Sequence, residues 1–196
     1  MVLSQPDLRK SVESKRIIFD PPPEERQWGE ASIDLRLDFS FTKLVSLPGV
    51  KVSVANGLGS IGSSGFWRSI KLSERNELGQ LNSITLSPGA FLLGMTYERI
   101  VIPDDLIGFV EGRSTYARVG LSMHQTAPWI QPGWDGKIVL EMMNNGPLEI
   151  ELTPLIDRPC QISFFKLTTA LSDTAVYGSR PTDRYQQQKH PLQHDK

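Results

Sequence analysis

Cysteine is almost absent from this chain of 196 residues, in which Cys160 is the single example. One thiol excludes an internal disulfide framework and suits the reducing environment of the cytoplasm. Long hydrophobic runs are also missing, because no window approaches the roughly 18 consecutive apolar residues that a membrane-spanning helix needs. The first residues contain no apolar stretch typical of a secretory signal. We therefore expect a cytoplasmic protein that does not enter a membrane.

Neither sign of charge is in excess. Lys and Arg number 21, Asp and Glu number 22, and the formal net charge is −1. Because proteins that bind nucleic acid usually carry a basic face, this balance argues against a nucleic-acid partner. A phosphate-bearing ligand would have to meet a local group of positive charges. Hydrophobic residues make up 39% of the chain, which is enough for the core of one domain with an additional arm.

Short apolar segments separated by proline and glycine predict a mainly β fold with one or two short helices. The clearest strand covers residues 33–41, where apolar and polar side chains alternate with a period of two. Residues 85–95 predict a strand, a turn at Pro88-Gly89 and a second strand. A short helix is predicted after Ser4, with the segment 19–23, which contains three prolines, as its end.

A β-hairpin is predicted in the second half of the chain. Its arms are residues 138–143 and 148–152, and residues 144–147 form its turn. The period of two in the second arm places Leu148, Ile150 and Leu152 on one face. Residues 48–65, rich in glycine, serine and valine, predict a loop or weak hairpin.

The apolar content falls after Thr169. We therefore divide the chain into one β domain, residues 1–170, and a C-terminal tail, residues 171–196. By composition the tail is a mobile segment, and the functional alternative is a lid that becomes ordered over a ligand.

Residues 108–145 combine charge, small residues and apolar flanks in a way that no other window does, and we interpret them as a nucleotide site. Residues 113–118 predict a single capped helical turn that Gly120 ends. The free N–H groups at such a start, together with Arg113 and Arg118, suit a phosphate. The alternative is a capped surface helix with two solvated arginines.

Glu141 is the one acid within the apolar segment 138–143. Burial in such a strand would disfavour the charged carboxylate, which is what a group that takes up and returns a proton needs. Two structural alternatives remain open. The acid could be paired with Arg113 or Arg118, or it could lie on an exposed edge.

A stiff, sharply turned segment covers residues 127–134 and follows His124 and Thr126. A fixed backbone can present N–H and C=O groups to the edge of a base, and tryptophan can wall an apolar pocket. The alternative is a turn with its tryptophans in the core and a histidine that is buried and hydrogen-bonded.

A zinc site of the nucleobase-deaminase type is not expected. That chemistry uses an H-x-E motif and a P-C-x-x-C motif. Pro159-Cys160 is followed by Gln-Ile-Ser, and no H-x-E is present. We therefore expect no metal ion that the protein itself holds.

The chain resembles the dCTP deaminases of the trimeric dUTPase superfamily. The likeness covers SIDLRL, LSPGAFLLG, EGRSTYARVGLSMHQTA, GWDGKIVLEMMNNGPLEIELTP and the tail, and only the segment 48–65 is poorly covered. The resemblance implies a distorted β-barrel or jelly roll, assembled as a homotrimer with active sites between subunits. It implies hydrolytic deamination of dCTP to dUTP and ammonia without zinc. It leaves dTTP open as an inhibitor.

The resemblance also implies residue roles. Glu141 is the general acid and base, while Ser114 and Arg118 place the attacking water and steady the pyrimidine. The segment 113–118 wraps the triphosphate, whose charge is shared with Mg²⁺ that arrives with the nucleotide. Main chain at 139–140 and near Ala127 reads the cytosine. The predicted substrate-binding residues are Arg113, Ser114, Thr115, Tyr116, Ala117, Arg118, His124, Ala127, Gln131, Val139, Leu140, Tyr177, Arg184 and Gln188.

Two positions depart from the family pattern. Gln131 stands where many relatives carry an aspartate that contacts the sugar; Gln131 can bind a 3′-hydroxyl but cannot act as a base. Trp129 stands where some relatives carry an arginine that reaches a neighbouring subunit's ligand. The alternatives to a monofunctional deaminase are a bifunctional dCTP deaminase and dUTP diphosphatase, a dUTPase, and a non-catalytic trimer that binds deoxynucleotides.

Overall fold

The structure is a computed structural model that describes residues 1–45, 49, 51, 66–181, 183 and 185–192. The predicted loop at 48–65 lies outside these residues except at positions 49 and 51, and the tail residue Arg184 also lies outside them. Helices α1 and α2 cover Gln5–Glu13 and Ser114–Ala117, and a 3-10 turn covers Glu25–Gln27. Strands β1 to β12 cover, in chain order, Ile18–Asp20, Ile33–Leu35, Ser40–Leu44, Trp67–Lys71, Ile84–Leu86, Phe91–Val101, Leu106–Gly112, Leu121–Ser122, Trp129–Ile130, Asp135–Asn144, Ile150–Leu152 and Cys160–Lys166.

The prediction of a mainly β fold with one or two short helices is confirmed, and the described residues form two. The largest sheet has the order β4-β3-β6-β10-β8, and β1 pairs with the far end of β6. A second sheet has the order β2-β12-β7-β9, and β11 pairs with β5 in a third. In the described part of the chain, no helix is long and apolar enough to cross a membrane.

The core is built from the inward faces of these sheets. Strand β10 alternates regularly, so that Ile138, Leu140 and Met142 are buried while the residues between them are half-buried. Strands β7 and β12 alternate in the same way. Full burial of one such aliphatic side chain stabilises the fold by about 1.5–3 kcal/mol. The alternation therefore fixes which residues of β10 can face a ligand.

The segment 33–41 is not one strand. Its first half is β2 of the four-stranded sheet, and its second half enters β3 of the six-stranded sheet. Between them Arg36 and Asp38 are buried, which a simple alternation does not predict. Each is neutralised by an ion pair, Arg36 Nε with Glu98 at 2.7 Å and Asp38 with Lys137 Nζ at 2.6 Å. These pairs allow the chain to change sheets without leaving buried charges unpaired.

The predicted hairpin around residues 144–147 is wrong. Strand β10 pairs with β6 and β8, whereas β11 pairs with β5. The side chain of Asn144 explains the change of direction, because its Nδ2 donates to the carbonyls of Leu86 and Leu148, each at 2.8 Å. Leu148 is 71% exposed and does not share the buried face of Ile150.

Two other turns differ in part from their predictions. The turn at Pro88-Gly89 exists, with Gly89 at a φ of 76°, but the strands that it joins belong to different sheets. Helix α1 starts after Ser4 as predicted and buries Leu8. It ends at Glu13 rather than at the prolines, because the chain first turns and forms β1.

Candidate active site

A pocket of about 410 Å³ lies beside the half-buried face of β10. We call it the Glu141 pocket. Strand β10 contributes residues 139–141, the turn contributes Ala127 and Gln131, and His124 lies between them. The tail contributes Tyr177 and Gln188, among other residues. Eight of the predicted site residues therefore meet in one cavity whose volume is in the ordinary range for small-molecule sites.

Glu141 is held from one side only. The backbone N–H of Gln125 donates to its Oε2 at 3.0 Å, and the Gln125 side chain donates to the Glu141 carbonyl at 3.1 Å. Because β10 buries only alternate residues, Glu141 is half-buried, and the expected deep burial of its carboxyl group is wrong. In the described part of the chain neither Arg113 nor Arg118 pairs with it. One carboxylate oxygen is thus fixed and the other remains available.

The segment 113–118 lies outside the Glu141 pocket of its own chain. Arg113 Nε is 3.1 Å from Asp34 Oδ1, and Arg113 also donates to the carbonyl of Arg158 at 3.0 Å. The Tyr116 hydroxyl donates to Asp157 at 2.8 Å. These two side chains attach α2 to the body of the protein.

The remaining side chains of this segment point outward. Ser114, Thr115, Ala117 and Arg118 are all exposed. Among the described residues no ion pair involves Arg118, so its charge is free for a ligand. The predicted phosphate role of these residues stays a prediction.

Burial raises the pKa of two residues that take part in holding α2 in place, Asp34 and Tyr116. Desolvation raises the pKa of Asp34, although the nearby guanidinium groups of Arg113 and Arg158 oppose the shift. Desolvation, followed by the hydrogen bond to Asp157, raises the pKa of Tyr116 to about 12. Tyr116 is therefore a neutral hydrogen-bond donor at physiological pH.

The end of α2 is pressed against the end of β10. Gly120 has a φ of 96°, and a Cβ at this position would lie 2.3 Å from the backbone nitrogen of Gly146. A Cβ on Gly146 would lie 2.2 Å from the carbonyl oxygen of Val119. The N–H of Asn145 donates to the Gly120 carbonyl at 2.8 Å. Only glycine fits at either position, and the prediction that Gly120 ends the helical turn agrees with this geometry.

His124 connects the pocket to a surface acid. Its Nε2 lies 3.2 Å from Oε1 of Glu111. Its Nδ1 is buried and has no hydrogen-bond partner among the described residues. Only one of the two ring nitrogens has a partner there, so the alternative of a buried histidine with its hydrogen bonds satisfied does not apply.

The two tryptophans of the turn have different environments. Trp134 is buried, and its Nε1 donates to the carbonyl of Gly136 at 3.1 Å. Trp129 is 48% exposed and packs edge-on against Phe109, with ring centroids 4.8 Å apart. Trp134 is thus part of the core, as the structural alternative predicts, and both tryptophans line the Glu141 pocket.

The described part of the tail packs against the stiff turn. The N–H of Tyr177 donates to the carbonyl of Pro132 at 2.8 Å, and the N–H of Gln187 donates to Asp135 at 2.6 Å. Gln186 Nε2 donates to the carbonyl of Gly133 at 3.0 Å. Gln188 is only 5% exposed. This arrangement places the tail over the Glu141 pocket, as a lid would lie.

The comparison with known proteins agrees with this geometry. Residues 2–167 match the family described as dCTP deaminase-like. The chain is 42% identical over 193 residues to the dCTP deaminase of Rhodospirillum rubrum, an alignment that covers 98% of this chain and 95% of that protein. The chain belongs to the dCTP deaminase family.

Two further family members help to define what is shared. A protein of Methanosphaera stadtmanae named "dCTP deaminase, dUMP-forming" is 36% identical over 170 residues, covering 86% of this chain and 80% of its own. The crystal structure of the 2′-deoxycytidine 5′-triphosphate deaminase from Agrobacterium tumefaciens superimposes with a TM-score of 0.60 at 20% identity. The match covers 88% of this chain but 50% of that one. At this identity the likeness concerns the fold, which the two dCTP deaminase-like chains share.

The described residues of this dCTP deaminase family member do not bring together a set of side chains that could bind a metal ion. No group of three or more His, Cys, Asp or Glu side chains there could hold a metal ion. Cys160 is fully buried on β12, and burial raises the pKa of its thiol well above the usual range.

Several residues of the site escaped the sequence reasoning. Gln125, which holds the carboxylate of Glu141, acts through its backbone and leaves no sequence signal. Asp34 and Asp157 anchor α2 from distant parts of the chain; the polar face of the segment 33–41 was a signal for the first only. Trp67 lines the Glu141 pocket from β4, and nothing in its neighbourhood along the sequence indicated this.

Proposed function

We propose that this protein catalyses the hydrolytic deamination of dCTP to dUTP and ammonia, without zinc, with Glu141 as general acid and base. The observation that carries the proposal is the carboxylate of Glu141 in the wall of a nucleotide-sized pocket, with Oε2 fixed by the Gln125 N–H at 3.0 Å. Membership of the dCTP deaminase family supports it. The product would supply dUTP for pyrimidine deoxynucleotide synthesis in the cytoplasm.

The reaction needs one group to move two protons. Glu141 takes a proton from water as the water oxygen attacks C4 of the cytosine. It passes this proton to N3 of the ring and then carries the proton of the new C4 hydroxyl to the amine. The C4–N bond breaks as C4=O forms, so that dCTP and water give dUTP and ammonia. Because the Gln125 N–H holds Oε2, Oε1 can face the water in both steps.

The rest of the pocket would hold the nucleoside. The main chain at residues 139–140 and the carbonyl of Ala127 read the edge of the cytosine. His124 and Gln131 lie at the same cavity, and Gln131 can hydrogen-bond the 3′-hydroxyl. Apolar walls exclude water from the reacting atoms.

The exposed face of α2 would serve another copy of the chain. Ser114, Thr115 and Arg118 lie outside the Glu141 pocket of their own chain, so we place them in the site of a neighbouring subunit in a homotrimer. There Ser114 helps to place the water, and Arg118 contacts the pyrimidine and the phosphates. Mg²⁺ would arrive with the triphosphate, since the described residues offer it no cage of carboxylates.

The tail would act as a lid over this site. Tyr177 and Gln188 already lie at the pocket, and Arg184 is proposed to join them on the triphosphate. A lid of this kind would shield the reacting atoms from solvent water.

Ammonia release from dCTP in the presence of Mg²⁺ tests the proposal. We expect dUTP and ammonia to appear in equal amounts, measured by chromatography and a coupled ammonia assay. No turnover by a folded oligomer that binds dCTP would contradict deamination and favour a non-catalytic binding protein.

A second candidate is the bifunctional, dUMP-forming activity named for the Methanosphaera stadtmanae relative. Hydrolysis of the phosphate chain would need a base near the sugar, and Gln131 is an amide that cannot accept a proton from water. We therefore propose dUTP as the final product. A pyrophosphate assay with dCTP and with dUTP separates the two activities, and pyrophosphate from either would favour the bifunctional enzyme.

A further inference from the structure

The Glu141 pocket contains unpartnered polar atoms. In the described part of the chain, buried side-chain atoms without a hydrogen-bond partner include Nε1 of Trp67 and Nδ1 of His124, and both residues line this pocket. The third such atom, Oδ1 of Asp135, lies 2.7 Å from Nε of Arg99 and is stabilised by that ion pair. Buried polar groups in folded proteins are almost always paired, so two unpaired atoms in one pocket point to a polar ligand.

Trp67 lies on the same face of the six-stranded sheet as Glu141. Trp67 on β4 is the partner of Leu44 on β3. Two residues earlier on β3, Thr42 is the partner of Leu93, and Leu93 is the partner of Glu141. Cross-strand partners share a face, and so do residues two apart on one strand. Trp67 and Glu141 therefore face one cavity from strands about 14 Å apart, a separation of three strand spacings.

The chemistry of indole decides what the ligand must offer. The Nε1–H of tryptophan is a donor only, so its partner must be an acceptor. The lining residues that β6 contributes on this face include Phe91 and Leu93, which have no acceptor in their side chains. A deoxynucleotide carries acceptor oxygens on its sugar and phosphates, and one that extended from Glu141 towards β4 would bring them to this donor.

We propose that Trp67 is a further substrate-binding residue, whose indole N–H donates a hydrogen bond to a sugar or phosphate oxygen of the bound deoxynucleotide. The inference rests on the proposed function and extends the site to β4. Trp67 contributes to binding and not to proton transfer, because its strand lies far from the carboxylate of Glu141.

Indole resonances test the contact directly. The full-length Glu141→Gln variant, which is expected to bind dCTP without converting it, is labelled with ¹⁵N-tryptophan. The chain has four tryptophans, and the signal missing from a Trp67→Phe spectrum identifies Trp67. With saturating dCTP and Mg²⁺, the Trp67 indole proton should move downfield. Trp28 is the control, because its ring lies 4.5 Å from the guanidinium of Arg9 and not in the pocket.

Two analogues identify the acceptor. If the shift is lost with 2′,3′-dideoxycytidine triphosphate, the acceptor is the 3′-hydroxyl. If it is lost with deoxycytidine, the acceptor is a phosphate oxygen. Either result supports the proposal, whereas an unmoved Trp67 signal at saturation with dCTP overturns it.

Steady-state kinetics give an independent measurement. Trp67→Phe keeps an aromatic ring and removes the donor, so KM for dCTP should rise about threefold to tenfold, as for one lost hydrogen bond to a ligand. The value of kcat should stay within about twofold, as expected when binding rather than chemistry is affected. Trp28→Phe should leave both constants unchanged.

The outcomes separate this inference from the proposed function. If a folded Trp67→Phe variant has the same kcat and the same KM for dCTP as the wild type, the role of Trp67 is overturned and deamination stands. If Trp67→Phe fails to fold, seen as a lost thermal transition, the Trp67 signal is assigned by elimination from the spectra of Trp28→Phe, Trp129→Phe and Trp134→Phe, and its shift decides. Absence of both dCTP binding and turnover in the wild type would overturn both.

Discussion

Strand β10 and helix α2 carry the two halves of the proposed chemistry, and one chain positions them in different ways. Glu141 lies on an interior strand of the largest sheet, where the register with β6 and the Gln125 N–H fix it at the pocket. Ser114 lies on a four-residue surface helix and Arg118 directly follows it, and neither residue lines that pocket. In the proposed mechanism a single chain holds the proton-transferring carboxylate at its own pocket, whereas the α2 segment proposed to place water and bind phosphate would serve a ligand held by another copy. The contrast supports the proposed site between subunits.

The largest effect is expected where β10 meets the substrate. Glu141→Gln keeps the size of the side chain and removes its ability to take a proton, so kcat should fall by about 10³-fold or more, within the range for general acid–base catalysis. The affinity for dCTP should stay within about threefold, because an amide can still accept the Gln125 hydrogen bond. Single-turnover kinetics and calorimetric titration measure the two quantities. Turnover that survives the substitution would remove Glu141 from the chemistry.

The next largest effect is expected at Arg118, which directly follows α2. It also tests whether the site is formed between two copies of the chain. Arg118→Ala should lower kcat/KM by about 10²-fold, since a charge-assisted contact to the nucleotide is lost. When this variant is unfolded and refolded together with Glu141→Gln, mixed trimers contain sites with both residues intact. Random assembly should restore about a quarter of the wild-type activity in a closed ring.

The refolded mixture distinguishes two arrangements. If both residues acted within one chain, no mixed assembly could contain a site with both intact on a single polypeptide, and activity would stay at the level of the single variants. Each variant refolded alone is the control. Size-exclusion chromatography with light scattering confirms that the oligomer has formed again.

The smallest effect concerns the attachment of α2. Tyr116→Phe removes the hydrogen bond to Asp157, which is half-buried and charge-assisted, and should lower the free energy of unfolding by about 1–2 kcal/mol. Because α2 would then be held chiefly by Arg113, kcat/KM should fall by less than about tenfold, far below the loss in Arg118→Ala. Denaturant unfolding and steady-state assays measure the two changes. Equal losses in the two variants would show that the position of α2, and not the charge of Arg118, limits the reaction.

The same residue gives a signature in alkaline solution. The pKa of Tyr116 is raised to about 12, so its neutral form is favoured by folding. This contribution to stability is fully present below the ordinary tyrosine pKa and is lost as pH rises through the raised value. Absorbance of tyrosinate should therefore show a late phase in the wild type that is missing in Tyr116→Phe. If the late phase disappeared instead when another tyrosine was replaced, it would not belong to Tyr116.

Local patterns in the sequence were enough to predict that residues of β10 and of the stiff turn share one cavity. The acid in an apolar strand and the stiff turn at 127–134 are adjacent along the chain, and Glu141, Ala127 and Gln131 do meet in one cavity. The degree of burial of Glu141 could not be read from the sequence. An apolar strand looks the same whether both faces are covered or only one, and the second face depends on what packs there.

Long-range contacts account for most of what the sequence did not predict. The hairpin at 144–147 fails because Asn144 bonds to Leu86, which is far away along the chain. The strand at 33–41 divides because buried ion pairs allow it to change sheets at Arg36 and Asp38. In each case a side chain that resembles an ordinary turn or surface residue redirects the backbone, and its partner cannot be known before the fold.

The contact between Gly120 and Gly146 has a mechanical consequence. It joins the end of α2 to the loop that leaves β10. In the proposed mechanism, the phosphate-binding arm and the catalytic strand of one chain would therefore move as one rigid lever. In a closed ring of copies, that lever would have its two ends in two different sites. A nucleotide that displaces α2 at one site would therefore pull on the strand that holds Glu141 at the next, and occupancy could be communicated around the ring without any separate regulatory domain.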